Sequence, residues 1–171
     1  IFKKLNVFAG NRKNRINSAQ LAIDDPKTKA LFFARGGYGA IQIIDDINFT
    51  QFLKAPKWLL GFSDITIVLM HAYSRYGIVS IHGPMPFNFR ETYKKHINTL
   101  FNILKGGIAD ISLNSHKLNR PGLAEGVLIG GNLSILCSLI GSKSFPNLNK
   151  KHILFIEEVD EYLYHLERML Y

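Results

Sequence analysis

The chain has 171 residues, 47% of them hydrophobic, which is enough for one substantial core or for one domain with part of another. The formal net charge of +8 would suit an acidic ligand, but the basic pairs Lys3-Lys4, Lys94-Lys95 and Lys150-Lys151 are scattered and form no recognition-helix pattern, which argues against nucleic-acid binding. No apolar run is long enough to insert in a membrane, and the single cysteine, Cys137, excludes an internal disulfide.

Ile1 to Val7 reads as strand or connector, and Asn17 to Ile23 as a short helix. Lys29 to Ala34 carries almost no polar interruption, as expected of a parallel strand covered on both faces. It runs into Arg35-Gly36-Gly37-Tyr38-Gly39, whose glycines permit left-handed backbone and exposed amides. This loop lacks the Gly-Lys-Ser/Thr ending of a phosphate loop and the full spacing of a dinucleotide fingerprint. It reads either as an anion-facing turn or as a tight structural one. Ile41 to Phe52 mixes apolar and acidic residues without a clear period.

A second buried strand, Trp58 to Leu60, leads into Gly61-Phe62-Ser63-Asp64. Ile65, Val68, Leu69 and Ala72 then form an apolar stripe that predicts an amphipathic helix from about Asp64 to Tyr76. A serine on such a strand-to-helix turn has its hydroxyl lifted out of the packed layer, beside helix N-terminal amides. Ser63 is therefore either an exposed nucleophile or a helix N-cap. The familiar elbow pattern has a glycine two residues after the serine, where this chain has Ile65.

Gly77 to Ile81 reads as a strand that ends at His82-Gly83-Pro84, and Glu91 to Leu104 as a helix. Gly106 to Gly122 is a linker or domain border, dividing a nucleophile-bearing unit over 1–115 from a linker and partial second domain over 116–171. Beyond it, Ala124 to Ile129 reads as a strand, Leu133 to Leu139 as a helix, and His152 to Ile156 as a strand with Glu157 at its carboxyl end. A last helix covers Leu163 to Leu170. The alternation predicts an α/β fold. No histidine or cysteine group has recognised ligand spacing, so neither a metal nor another cofactor is expected.

Taken together, Phe8-Ala9-Gly10, Ala34-Arg35-Gly36-Gly37-Tyr38-Gly39-Ala40, Gly61-Phe62-Ser63-Asp64, His82-Gly83-Pro84-Met85, Gly130-Gly131-Asn132-Leu133, Leu154-Phe155-Ile156-Glu157-Glu158 and Leu166-Glu167-Arg168-Met169-Leu170 resemble the LD-carboxypeptidase family, which includes microcin-immunity peptidases. The resemblance implies a flavodoxin-like N-terminal domain with a parallel sheet and a smaller mixed α/β C-terminal domain, incomplete here, with the active-site cleft between them. It implies a serine peptidase that releases D-alanine from murein tetrapeptide during cytoplasmic cell-wall recycling. A microcin-type conjugate hydrolase and a catalytically inactive peptide-binding protein are the alternatives.

The resemblance places the nucleophile on Ser63 and the triad carboxylate on Glu157, with Glu158 the neighbouring alternative if the register is displaced. The amides of Gly37 and Asp64 would receive the oxyanion. Arg35 would fix the turn or a substrate carboxylate, and Tyr38 would line the cleft. The family's histidine falls beyond Tyr171, so the displayed chain is expected to be a truncated and inactive fragment, with apolar surface exposed around Ala124 to Leu139 and Ile153 to Ile156. His82 is the best local substitute for that base. A homodimer is compatible with the resemblance.

Overall fold

The computed structural model describes residues 4–171. The strand-or-connector expectation for residues 1–7 falls partly on residues 1–3, outside the described residues. Over the rest of that segment Leu5 and Phe8 form one antiparallel bridge.

Helix α1 spans Arg12–Asp24 and starts where the Asn11 side chain accepts a hydrogen bond from the Asn14 amide at 2.8 Å. At its other end the buried Lys57 ammonium donates to the carbonyls of Ile23 and Asp25 at 2.8 and 2.6 Å, supplying a positive charge where the helix leaves carbonyls unpaired. Strands β1 (Ala30–Phe32), β2 (Trp58–Gly61) and β3 (Ile81–His82) make one parallel sheet in that order, with Leu31 opposite Leu59 and Gly61 opposite His82. Ile41 to Phe52 resolves into two short 3-10 turns and helix α2 (Thr50–Lys54). The strand expected over residues 77–81 shrinks to Ile81–His82, because Gly77 adopts a left-handed conformation and ends the preceding helix.

Helix α3 (Thr66–Tyr76) departs from the amphipathic expectation: every residue from Thr66 to Ala72 is buried. It packs against the first sheet and also against β4 (Val127–Asn132) and α5 (Leu133–Leu139). An element covered on several sides loses its polar stripe. Helix α4 (Lys94–Leu104) follows, and residues 105–126 contain no helix or strand. Strand β4 pairs in parallel with β5 (His152–Glu157), with Gly130 opposite Phe155 and Asn132 opposite Glu157. Helix α6 covers Leu163–Leu170.

The fold is thus α/β, with an N-terminal parallel sheet and a smaller C-terminal sheet. One apolar core joins the two, running from Ile23, Phe49, Phe52 and Leu59 through Ile67 to Leu136 and Leu139. Its consequence for the site is directional. The carboxyl ends of β2, β4 and β5 are brought together at the amino end of α3. Among the described residues no helix is long and apolar enough to cross a membrane.

Candidate active site

Ser63 follows β2 directly. Phe62 is fully extended, Ser63 has φ of +59°, and a 3-10 turn over Ser63–Ile65 feeds into α3. Left-handed backbone at a non-glycine residue is uncommon and is stabilised by its surroundings. Gly36 leaves the Ser63 side chain its space: a β-carbon added at Gly36 would lie 2.9 Å from both Cβ and Oγ of Ser63. The glycine loop therefore meets the serine through Gly36. Gly37 is the exposed next residue, with φ of +128°. Among the described residues nothing accepts a hydrogen bond from the amides of Gly37 or Asp64.

Two side chains hold this loop. Asp64 is buried, and its Oδ2 accepts from the Ala40 amide at 3.0 Å, just past the last loop glycine. Burial pushes the Asp64 carboxyl above its ordinary value, against the opposing effects of that hydrogen bond and of Arg15. Arg15 on α1 donates to the Gly39 carbonyl at 2.8 Å and lies over the Phe8 ring. The expected role of Asp64 rests on its amide; its carboxylate has this additional task. Arg35 is exposed, with its guanidinium 5.6 Å from the Phe87 ring centroid, and the exposed Tyr38 ring lies 5.7 Å from that of Phe8.

Glu157 is the last residue of β5, opposite Asn132. The Asn132 amide donates to the Thr66 hydroxyl at 3.2 Å, which ties the second sheet to the helix turn just after Ser63. Glu157 and Glu158 have different surroundings. Burial opposes the charge of Glu158, yet hydrogen bonds from the Ser134 amide, the Asn132 side chain and the Val159 amide hold its carboxyl below its ordinary value. These bonds make it an anchor for the start of α5. The buried Oε1 of Glu157 has no hydrogen-bond partner among the described residues. Burial, helped by the charge of Glu158, raises the Glu157 carboxyl above the ordinary range against the opposing effect of the Asn132 side chain.

His82, which the sequence offers as the local substitute for the absent base, lies beside Glu157. Its Nε2 lies 3.9 Å from Glu157 Oε1, and its ring sits edge-on to Phe62 and Phe155 at 6.1 and 5.0 Å. Burial lowers its pKa, so the neutral imidazole is favoured. His82 also lines a cleft of about 340 Å³ with Phe62, Gly83, Pro84, Asn88, Glu91 and Thr92. His71, by contrast, is buried inside the fold, with Nδ1 2.8 Å from the Ser144 hydroxyl. Among the described residues no group of three or more His, Cys, Asp or Glu could hold a metal ion.

Two models of one family match the chain over the segments that carry these residues. The LD-carboxypeptidase N-terminal domain matches residues 2–83, and the LD-carboxypeptidase C-terminal domain matches residues 125–171. The chain belongs to the LD-carboxypeptidase family, a family of serine peptidases. It is 32% identical to a putative carboxypeptidase, slr1534, of Synechocystis over 98% of the chain and 54% of the relative. It is also 32% identical to the murein tetrapeptide carboxypeptidase of Pseudomonas aeruginosa, over 96% of the chain and 56% of the relative. The crystal structure of muramoyltetrapeptide carboxypeptidase from Oxalobacter formigenes superposes with a TM-score of 0.82 at 28% identity, covering 99% of this chain and 58% of that one. The chain thus spans about half the length of the curated relatives it matches.

Proposed function

We propose that this chain carries the nucleophile and the histidine-orienting carboxylate of a serine carboxypeptidase that hydrolyses the L,D peptide bond of murein tetrapeptide and releases terminal D-alanine. The observation that carries this reading is the backbone of Ser63, held at φ of +59° between strand and helix with Gly36 packed on its side chain. A serine serving only as an N-cap needs no such conformation, since N-caps have ordinary extended backbone.

In this reading Ser63 Oγ attacks the scissile carbonyl while a histidine, oriented by Glu157 and supplied by sequence outside these 171 residues, accepts its proton. The amides of Gly37 and Asp64 stabilise the oxyanion. The histidine returns the proton to the departing D-alanine amine, and water then releases the acyl group. Arg35 receives a substrate carboxylate, and Tyr38 lines the approach. The support for these roles is the shared edge on which the two loops and the end of β5 lie.

The same reading takes residues 1–115 as a flavodoxin-like domain and 116–171 as a linker and partial second domain. It places the protein in the cytoplasm, where cell-wall peptides are recycled, without nucleic-acid partners, and is compatible with a homodimer. The test of substrate is a panel given to the intact protein: murein tetrapeptide, its L-alanine-terminated diastereomer and a microcin-type aminoacyl-nucleotide conjugate. Release of D-alanine from the first alone is the expected result. Turnover of the conjugate alone would move the assignment to microcin-type hydrolysis, and saturable binding without product from any of the three would leave a peptide-binding protein.

A further inference from the structure

We infer that His82 is a positioning residue for Glu157, donating a hydrogen bond from Nε2 to Oε1 and so linking the two sheets across the reacting centre. This rests on the reading of Glu157 as the triad carboxylate.

The carboxylate oxygen facing this gap is starved of partners. Glu157 Oε1 is buried without a hydrogen bond, and so is the far nitrogen of His82, Nδ1. Buried polar atoms of native proteins are nearly always satisfied, so a pair left at 3.9 Å marks a contact that closes when the site is engaged. Hydrogen bonds at catalytic sites are often long in the unliganded state and tighten in the substrate complex.

The ring has little freedom to turn elsewhere. Phe62 and Phe155 meet it edge-on, and the pairing of His82 with Gly61 fixes its backbone beside the serine elbow. Phe62 comes from the segment before the elbow, and Phe155 and Glu157 from β5. Glu158 lies beyond Glu157 but is occupied at α5, and Glu91, which lines the same cleft, forms no ion pair with His82 among the described residues. Glu157 is therefore the one carboxylate placed against Nε2 among the described residues.

A donor on Oε1 would leave Oε2 for the incoming histidine. A carboxylate held at one oxygen cannot swing away from its catalytic partner, and its charged form is favoured by the bond. A neutral imidazole protonated on Nε2 supplies that donor, and burial keeps it neutral.

The test uses the intact protein and four variants. His82→Phe keeps a flat ring between Phe62 and Phe155 but removes the donor. His82→Gln places an amide N–H near the position of Nε2. Ser63→Ala and Glu157→Gln check the underlying reading. His82→Phe is expected to lower kcat by about 10- to 100-fold, the range for losing a hydrogen bond to a charged group, with little change in KM. The acidic limb of its kcat/KM profile should move to higher pH, because Glu157 takes up a proton more readily without the donor. His82→Gln should restore most of the activity and return the limb toward its original pH. Nitrogen-15 spectra of the unliganded protein should show His82 protonated on Nε2.

An unchanged kcat and acidic limb in folded His82→Phe, beside inactive Ser63→Ala and Glu157→Gln, overturns the inference and leaves the function intact. Equal losses in folded His82→Gln and His82→Phe, or protonation on Nδ1, overturn it as well. Near-normal turnover by Glu157→Gln overturns the triad reading and this inference with it.

Discussion

At Ser63 backbone and chemistry make opposing demands. A left-handed φ at a residue with a side chain costs of order 1 kcal/mol or more, whereas glycine adopts it freely. Ser63→Gly should therefore raise the unfolding free energy by roughly 0.5–1 kcal/mol, measured by urea denaturation, while abolishing turnover. A loss of stability would show that the serine side chain contributes packing that outweighs the strain. Gly36 makes the complementary prediction. Because an added β-carbon would stand 2.9 Å from Ser63 Oγ, Gly36→Ala should displace the hydroxyl and lower kcat about 100-fold, the penalty for moving a reacting group by about an ångström. A melting temperature within a few degrees of wild type would locate that loss in the site. His71 yields a pH prediction. Burial depresses its pKa below 6.5, so the neutral form is the one that fits the fold. Its contribution is present above the ordinary value of 6.5 and is lost as pH falls through its depressed value. The stability difference between wild type and His71→Gln should shrink as pH is lowered from 7.5 to 5, and a pH-independent difference would contradict this.

At the scale of elements, β4 and β5 set the geometry on which Glu157 depends. Gly130 has φ of +147°, and a β-carbon there would come within 1.8 Å of the Phe155 carbonyl oxygen. Gly130→Ala combines overpacking with backbone strain, each worth about 1–3 kcal/mol. It should destabilise the protein by about 3 kcal/mol in denaturant titration and weaken activity through Glu157; a change under about 1 kcal/mol would show that the strand relaxes easily. The short apolar runs before Gly61 and Glu157 were legible because buried parallel strands leave uninterrupted hydrophobic sequence. The helix over Leu133–Leu139 was legible to the residue, and the structure caps its start with the Asn132 side chain. The burial of α3 on every side from Thr66 to Ala72 was not, since residues 127–139 supply one of its walls from far along the chain. Nor was the approach of His82 to Glu157, 75 positions apart in numbering, which depends on two separate sheets being packed on one helix. The position of Ser63 between strand and helix was legible, while its left-handed backbone and contact with Gly36 required coordinates.

At the scale of the molecule, the second sheet carries an unusual amount of exposed apolar surface. Leu128 and Leu154 are 63% and 61% exposed, and Ile156 is exposed as well, whereas Leu136 and Leu139 are buried in the common core. The expected exposure therefore holds for the strands and fails for the helix, because α3 covers α5. Such a patch favours association. Light scattering of the 171-residue chain should show concentration-dependent oligomers that Leu154→Lys reduces, and a monodisperse monomer at high concentration would contradict this. The central claim is chemical, and turnover tests it most directly. The intact protein and Ser63→Ala are incubated with murein tetrapeptide, released D-alanine is quantified, and circular dichroism checks the fold of the variant. D-alanine release is expected to fall by at least about 10³-fold in Ser63→Ala with an unchanged spectrum; near-normal release by the folded variant would rule Ser63 out as the nucleophile.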